Sequence, residues 1–153
     1  MYNTQDIDGL VRALIDLVSF LNSPQRDEVL LNEAGVDLDR ALFPLLVRLG
    51  MSGPLSVAAL ASQVGRDHTT VSRQLAKLES LGLISRPGGD ADGRVRTAAL
   101  TPDGGDIVQA ITAARRRLLS KALAGWTKTD RANLANLNQR FVEALSAAGG
   151  DRE

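Results

Sequence analysis

Between Asp67 and Leu81 the chain reads as a helix with two different sides. At 100° per residue, Val71, Leu75 and Leu78 share one face, which sends Thr69, Arg73 and Lys77 to the other, with Thr70 and Ser72 on the shoulders. Small hydroxyls near a helix start let its backbone come close to a partner. An arginine one turn on can fork to two acceptors on a guanine edge or brace a phosphate. The positive helix end adds its own pull on an anion. A second group follows at Asp92, Arg94 and Arg96, around the end of a turn that holds glycines 88, 89 and 93. An arginine at a hairpin tip suits a narrow groove of strongly negative potential, and a carboxylate two residues earlier can hold its guanidinium in one orientation. This is chemistry for gripping a polyanion.

Bond-making chemistry has little to work with. The 153 residues contain no cysteine and one histidine, His68. Disulfides, thiolate metal sites and thiol redox sensing are thereby excluded, and a protein-built zinc site is not expected. No nucleophile with a base, and no phosphate-cradling glycine loop between strand and helix, is visible. The chain is expected to be no enzyme and to carry no cofactor. A basic stretch followed by an apolar one is missing near Met1, and no apolar run approaches the roughly 18 residues of a membrane span. The expectation is a cytoplasmic protein without a membrane partner. Eighteen basic residues balance eighteen acidic ones, yet unevenly: residues 1–45 carry −5, residues 46–102 carry +3, and the rest +2. A basic middle behind an acidic front suits a polyanion that touches only part of the protein.

The elements that must position these groups are mainly helical. Ile7, Leu10, Val11, Leu14, Leu17, Val18 and Leu21 recur at three- and four-residue spacing and predict one amphipathic helix. Ser23-Pro24 reads as a cap and first position of a short helix to about Asn32, closed by Gly35. A third helix is predicted from Asp37 or Asp39 to Leu49, with Leu42, Leu45, Leu46 and Leu49 inward and Gly50 through Pro54 breaking it. Ser56 caps a fourth, which Gly65 stops, and Asp67 caps a fifth, which Gly82 closes. Two such helices joined at Gly65 make a helix-turn-helix. Leu83–Arg86 and Val95–Leu100 read as strands around the turn 87–93, forming a wing. Thr101-Pro102-Asp103 starts a helix to about Ala124 with Ile107, Ile111, Leu118, Leu119 and Leu123 inward. Thr127–Asp130 opens the last, with Leu134, Leu137, Phe141 and Leu145 inward and a frayed end. The expected fold is mainly α with a small β-hairpin wing. Residues 37–101 form a winged helix-turn-helix, with recognition helix 67–81 and wing 83–101. Helices in 1–36 and 102–147 are expected to pair two copies, because a chain this small offers their apolar faces little else to cover.

The segment from Asp92 to Thr101 fits D-x-R, five residues, then L-T, with Pro102 and Gly104 beyond. It resembles the wing signature of the MarR family of bacterial transcriptional regulators. Val71-Ser72-Arg73-Gln74-Leu75 and Leu78-Glu79-Ser80-Leu81-Gly82-Leu83-Ile84 are similar to that family's recognition helix and its exit. Leu60-Ala61 resembles its first helix-turn-helix helix, and Trp126-Thr127-Lys128-Thr129-Asp130 the start of its last, so the resemblance covers about residues 37–145. It implies a homodimer on a palindromic operator in double-stranded DNA, with two readers spaced by roughly 34–36 Å or a multiple. Each recognition helix would enter the major groove and each wing the minor groove. It further implies a repressor, released by a small aromatic or anionic effector. Thr69, Thr70 and Arg73 would be contacts of the recognition helix, Arg94 the wing-tip arginine, and Asp92 its orienting partner. Ser72, Lys77 and Arg96 complete the expected DNA-binding set.

Other residues have plainer readings. Arg12, Arg48, His68 and the apolar positions of the first helix could line an effector pocket, yet each has an equally good surface or core reading. Arg115–Arg117 point around a helix and read as solvated. Trp126 reads as a packing residue at the corner of the last two helices, and Thr127 with Asp130 as a capping box. The competing expectation is a winged-helix module that binds protein and no longer reads DNA sequence.

Overall fold

The computed structural model describes residues 3–86 and 97–149, so the turn 87–93 and the expected site residues Asp92, Arg94 and Arg96 lie outside the described residues. Local chemistry sets the helix boundaries. The Asn3 side chain accepts from the Gln5 N–H and starts α1 (Thr4–Leu21). Ser23 precedes α2 (Pro24–Ala34) without capping it by side chain, and its hydroxyl donates to Gln25 Oε1 at 2.7 Å. Helix α2 runs to Ala34, two residues past the expected end, and Gly35 closes it. Helix α3 (Phe43–Ser52) starts later than predicted, because the Asp39 carboxylate accepts from the Ala41 N–H and builds a turn first. It also runs further. Gly50 stays helical, with Val108 packed where a side chain would stand, and Gly53 ends the helix instead.

Strand β1 (Leu55–Ser56) was not foreseen; its two residues give no alternation to read. Ser56 then caps α4 (Val57–Val64), its hydroxyl accepting from the Ala59 N–H at 3.1 Å. Gly65 takes the left-handed conformation (φ 66°) that turns the chain sharply toward Asp67, the cap of α5 (His68–Ser80). Strands β2 (Ile84–Ser85) and β3 (Thr97–Leu100) follow. The sheet has the order β1-β3-β2, antiparallel throughout, with Leu55 opposite Ala98 and Ile84 opposite Leu100. The expected hairpin is therefore part of a three-stranded sheet.

Helices α6 (Pro102–Ala122) and α7 (Lys128–Gly149) follow β3. Thr101 caps α6 as predicted, accepting from the Gly104 N–H at 3.1 Å. Gly104 admits the Leu83 carbonyl against its bare Cα, a place no Cβ could occupy. Thr127 and Asp130 form the predicted capping box, each side chain accepting from the other's N–H. The end read as frayed remains helical through Gly149.

The contacts divide the chain into two compact units, Met1–Arg115 and Arg116–Glu153. The core of the first joins Leu42, Leu45, Leu46 and Leu49 to Leu60 of α4, Val71, Leu75 and Leu78 of α5, and Ile84 and Ala98 of the sheet. Leu45, Leu46, Leu60, Leu75 and Leu78 are completely buried. Each contributes about 1.5–3 kcal/mol by leaving water. Leu31, Phe43 and Ile111 form a smaller cluster. Helix α1 buries none of its residues, and its apolar stripe is exposed apart from the half-buried Leu14.

In the second unit α7 also buries nothing: Leu134, Leu137 and Leu145, predicted inward, are all more than half exposed. Leu119 is likewise exposed. The end of one helix plus one further helix cannot close a core around every apolar side chain. Trp126 is 44% exposed rather than packed. Its neighbours Ala124 to Lys128 are exposed too, so that corner offers no core to enter. No described helix is long and apolar enough to cross a membrane.

Candidate nucleic-acid interface

Helix α5 is fixed along one side and open along the other. Val71, Leu75 and Leu78 are completely buried, as their spacing predicts, and Thr69, Arg73 and Lys77 are exposed. Ser72 and Thr70 are half-buried shoulders. Five of the eight expected site residues therefore share this helix, while the other three belong to residues 87–96.

The start of α5 is held electrostatically. The Asp67 carboxylate accepts from the Thr70 N–H at 2.8 Å and from the Thr70 hydroxyl at 2.6 Å. These bonds, the hydroxyl's first, hold the Asp67 carboxyl below its ordinary range, with a smaller contribution from the Arg73 charge. An ionised Asp67 also suits the positive helix end. The Thr70 hydroxyl proton is thus committed within the protein, so toward a further partner this oxygen can only accept. Thr69 has no such partner among the hydrogen bonds described, and it precedes Thr70 on the open side. His68, exposed at the first helical position, fits the plainer of its two readings.

At the other end, Leu81 caps α5 and Gly82 turns the chain into β2. The Thr101 hydroxyl donates to the Gly82 carbonyl at 2.6 Å, and the Thr101 N–H donates to Leu83 at 3.1 Å. The L-T of the wing signature thus joins the exit of α5 to the start of α6. Sequence reasoning also passed over Arg66 and Gln74, whose side chains meet beneath α5 at 2.8 Å. Nothing in residue type or spacing announces such a pair; only folding brings the turn against mid-helix.

Among the described residues, an open cleft of about 330 Å³ lies between α2 and the segment before α3, lined by Leu31, Val36, Leu38, Glu28, Asp37 and Arg40 among others. Arg12, Arg48 and His68, considered above for a pocket, do not line it. Two carboxylates against one guanidinium make it a poor seat for an anion.

Known proteins align with this arrangement. The model of the MarR family matches residues 38–95. The uncharacterized HTH-type transcriptional regulator YxaD of Bacillus subtilis (strain 168) is 32% identical over 109 residues, which is 71% of this chain and 76% of that protein. The fold is similar to a MarR family protein from Bacillus stearothermophilus, with a TM-score of 0.80 and 19% identity over 95% of this chain and 99% of that one. It is also similar to NadR, solved in complex with 4-hydroxyphenylacetate, with a TM-score of 0.61 and 20% identity over 87% and 89%.

Proposed function

The chain belongs to the MarR family of transcriptional regulators, and we propose that it is a repressor whose homodimer binds a palindromic operator. The observation that carries this reading is the surface of α5. The second helix of a helix-turn-helix buries its aliphatic side and leaves Thr69, Arg73 and Lys77 open. In this reading α5 lies in the major groove, with Thr69, Thr70 and Ser72 near its leading end, Arg73 at a base edge and Lys77 against a phosphate. Asp92, Arg94 and Arg96 supply the minor-groove contact on the strength of the wing motif alone. Residues 37–101 are the reader. The helices of 1–36 and 102–147 pair the two copies. As a DNA-reading regulator the protein works in the cytoplasm.

Release by a small aromatic or anionic effector is part of the proposal. It is supported by the likeness to NadR, whose structure holds 4-hydroxyphenylacetate.

Selection of bound fragments from the source genome by the purified chain tests the whole reading. The selected duplex should be bound with a log–log salt slope of about −0.9 per phosphate neutralised. Arg73→Ala should relax discrimination at one position per half-site, costing about 1–3 kcal/mol there. Arg94→Ala should weaken binding across all sequences. Unchanged affinity in Arg94→Ala removes the wing from the interface. Failure to enrich any sequence favours the protein-binding module instead.

A further inference from the structure

Arg66 sits in the turn between α4 and α5, where its backbone N–H already donates to the Ala61 carbonyl at 3.1 Å. Its side chain is half-buried and runs inward. Nη1 donates both to the Ala41 carbonyl at 2.7 Å and to Gln74 Oε1 at 2.8 Å. Ala41 belongs to the segment that leads into α3. Gln74 lies in the middle of α5, one residue beyond Arg73. A single guanidinium therefore ties the turn, the segment before α3 and the recognition helix together.

The need for such a tie follows from how α5 is otherwise held. Its inner side rests on Val71, Leu75 and Leu78, and apolar burial has no preferred direction. A helix held by an aliphatic stripe has no directional bond there to set its roll finely. Its ends are pinned by Asp67 and by the Gly82 junction, but Arg73 lies between those ends. The hydrogen bond to Gln74 is directional and sits on the flank, where it opposes rolling. A lysine would reach as a point charge with freely rotating N–H bonds; the planar guanidinium fixes the directions of the two Nη1 N–H bonds and so of both acceptors.

We propose that Arg66 is a positioning residue for operator recognition: through Gln74 it sets the roll of α5, so that Thr69, Arg73 and Lys77 face the base edges in one register, and it does so without touching DNA. This rests on the reading of α5 as the DNA-reading helix.

The full chain is titrated, across a range of salt, with a duplex selected from the source genome and with a scrambled duplex of equal length. Arg66→Met and Gln74→Leu each lower the preference for the selected duplex about tenfold, and the double variant lowers it no further than the stronger single one. Affinity for the scrambled duplex and the salt slope stay at wild-type values. Gln74→Glu, which keeps an acceptor for the guanidinium, holds the preference. A salt slope reduced by about 0.9 in Arg66→Met, with Gln74→Leu silent, makes Arg66 a phosphate contact and overturns the proposal. Losses that multiply in the double variant overturn it too. Should Arg66→Met fail to fold, equal preference in Gln74→Leu and Gln74→Glu has the same force. A wild-type chain that selects no duplex counts against the operator reading, and amide exchange without DNA then decides the tie. Exchange in mid-α5 accelerates alike in both single variants if Arg66 holds the helix; unchanged exchange overturns the proposal.

Discussion

Thr101 engages four backbone groups at once: its hydroxyl donates to Gly82 and accepts from Gly104, its N–H donates to Leu83, and its carbonyl accepts from Gly105. Valine has the same shape without the hydroxyl. Thr101→Val leaves the Gly82 carbonyl and the Gly104 N–H unanswered and should cost about 2 kcal/mol in a urea melt, whereas Thr101→Ser should recover most of it. The threonine was legible in the sequence as a helix cap, but its hold on the exit of α5 was not, because that bond spans nineteen residues. Asp67 is a local case, readable from its place before the helix. Its folded-state pKa is depressed, so the stabilisation it supplies is complete above the unfolded value of about 3.9 and is lost as pH falls through the lower folded value. Asp67→Asn keeps an oxygen for the Thr70 N–H but cannot ionise. Melting curves between about pH 2 and pH 5 should therefore show a wild-type advantage that shrinks as the solution becomes more acid. A constant gap between the two proteins would mean that the ionised cap contributes nothing.

Whole elements follow from periodicity where a helix packs on the core. In α5 the spacing of Val71, Leu75 and Leu78 announced three completely buried side chains, and its opposite face was open as expected. Because Leu75 has no exposed surface, Leu75→Ala should destabilise the first unit by about 2–5 kcal/mol, read as a lower urea midpoint with little change in slope. Where elements are short, or their ends depend on partners far along the chain, the sequence is less informative. Strand β1 has two residues and exists because β3 pairs with it, so no local pattern could reveal it. Helix α3 starts late because of an aspartate turn and passes through Gly50 because Val108 packs there. The first is a local bond that competes with the helix, and the second depends on a tertiary neighbour that overrides a weak local preference.

For the molecule as a whole, α1 and α7 carry the apolar periodicity that the sequence announced, yet neither helix buries a residue. Leu10 is 44% exposed on α1, and Leu137 is 57% exposed on α7. Such side chains at regular helical spacing, on two units that each carry an uncovered stripe, support the proposed pairing of two copies. Because neither leucine is buried within its own chain, a charge at either place should leave the fold of the single subunit intact, and any fall in melting temperature should reflect lost association alone. Across a subunit interface the same charge must be stripped of water. Leu10→Glu and Leu137→Glu should each raise the dimer dissociation constant by at least about a hundredfold. Sedimentation at micromolar protein should then show a single subunit, and the variant should lose affinity for a two-half-site duplex far more than for one half-site. A dimer that persists with both glutamates in place would move the pairing surface away from these stripes, since the exposed faces of α1 and α7 could not then be what joins two readers on one operator.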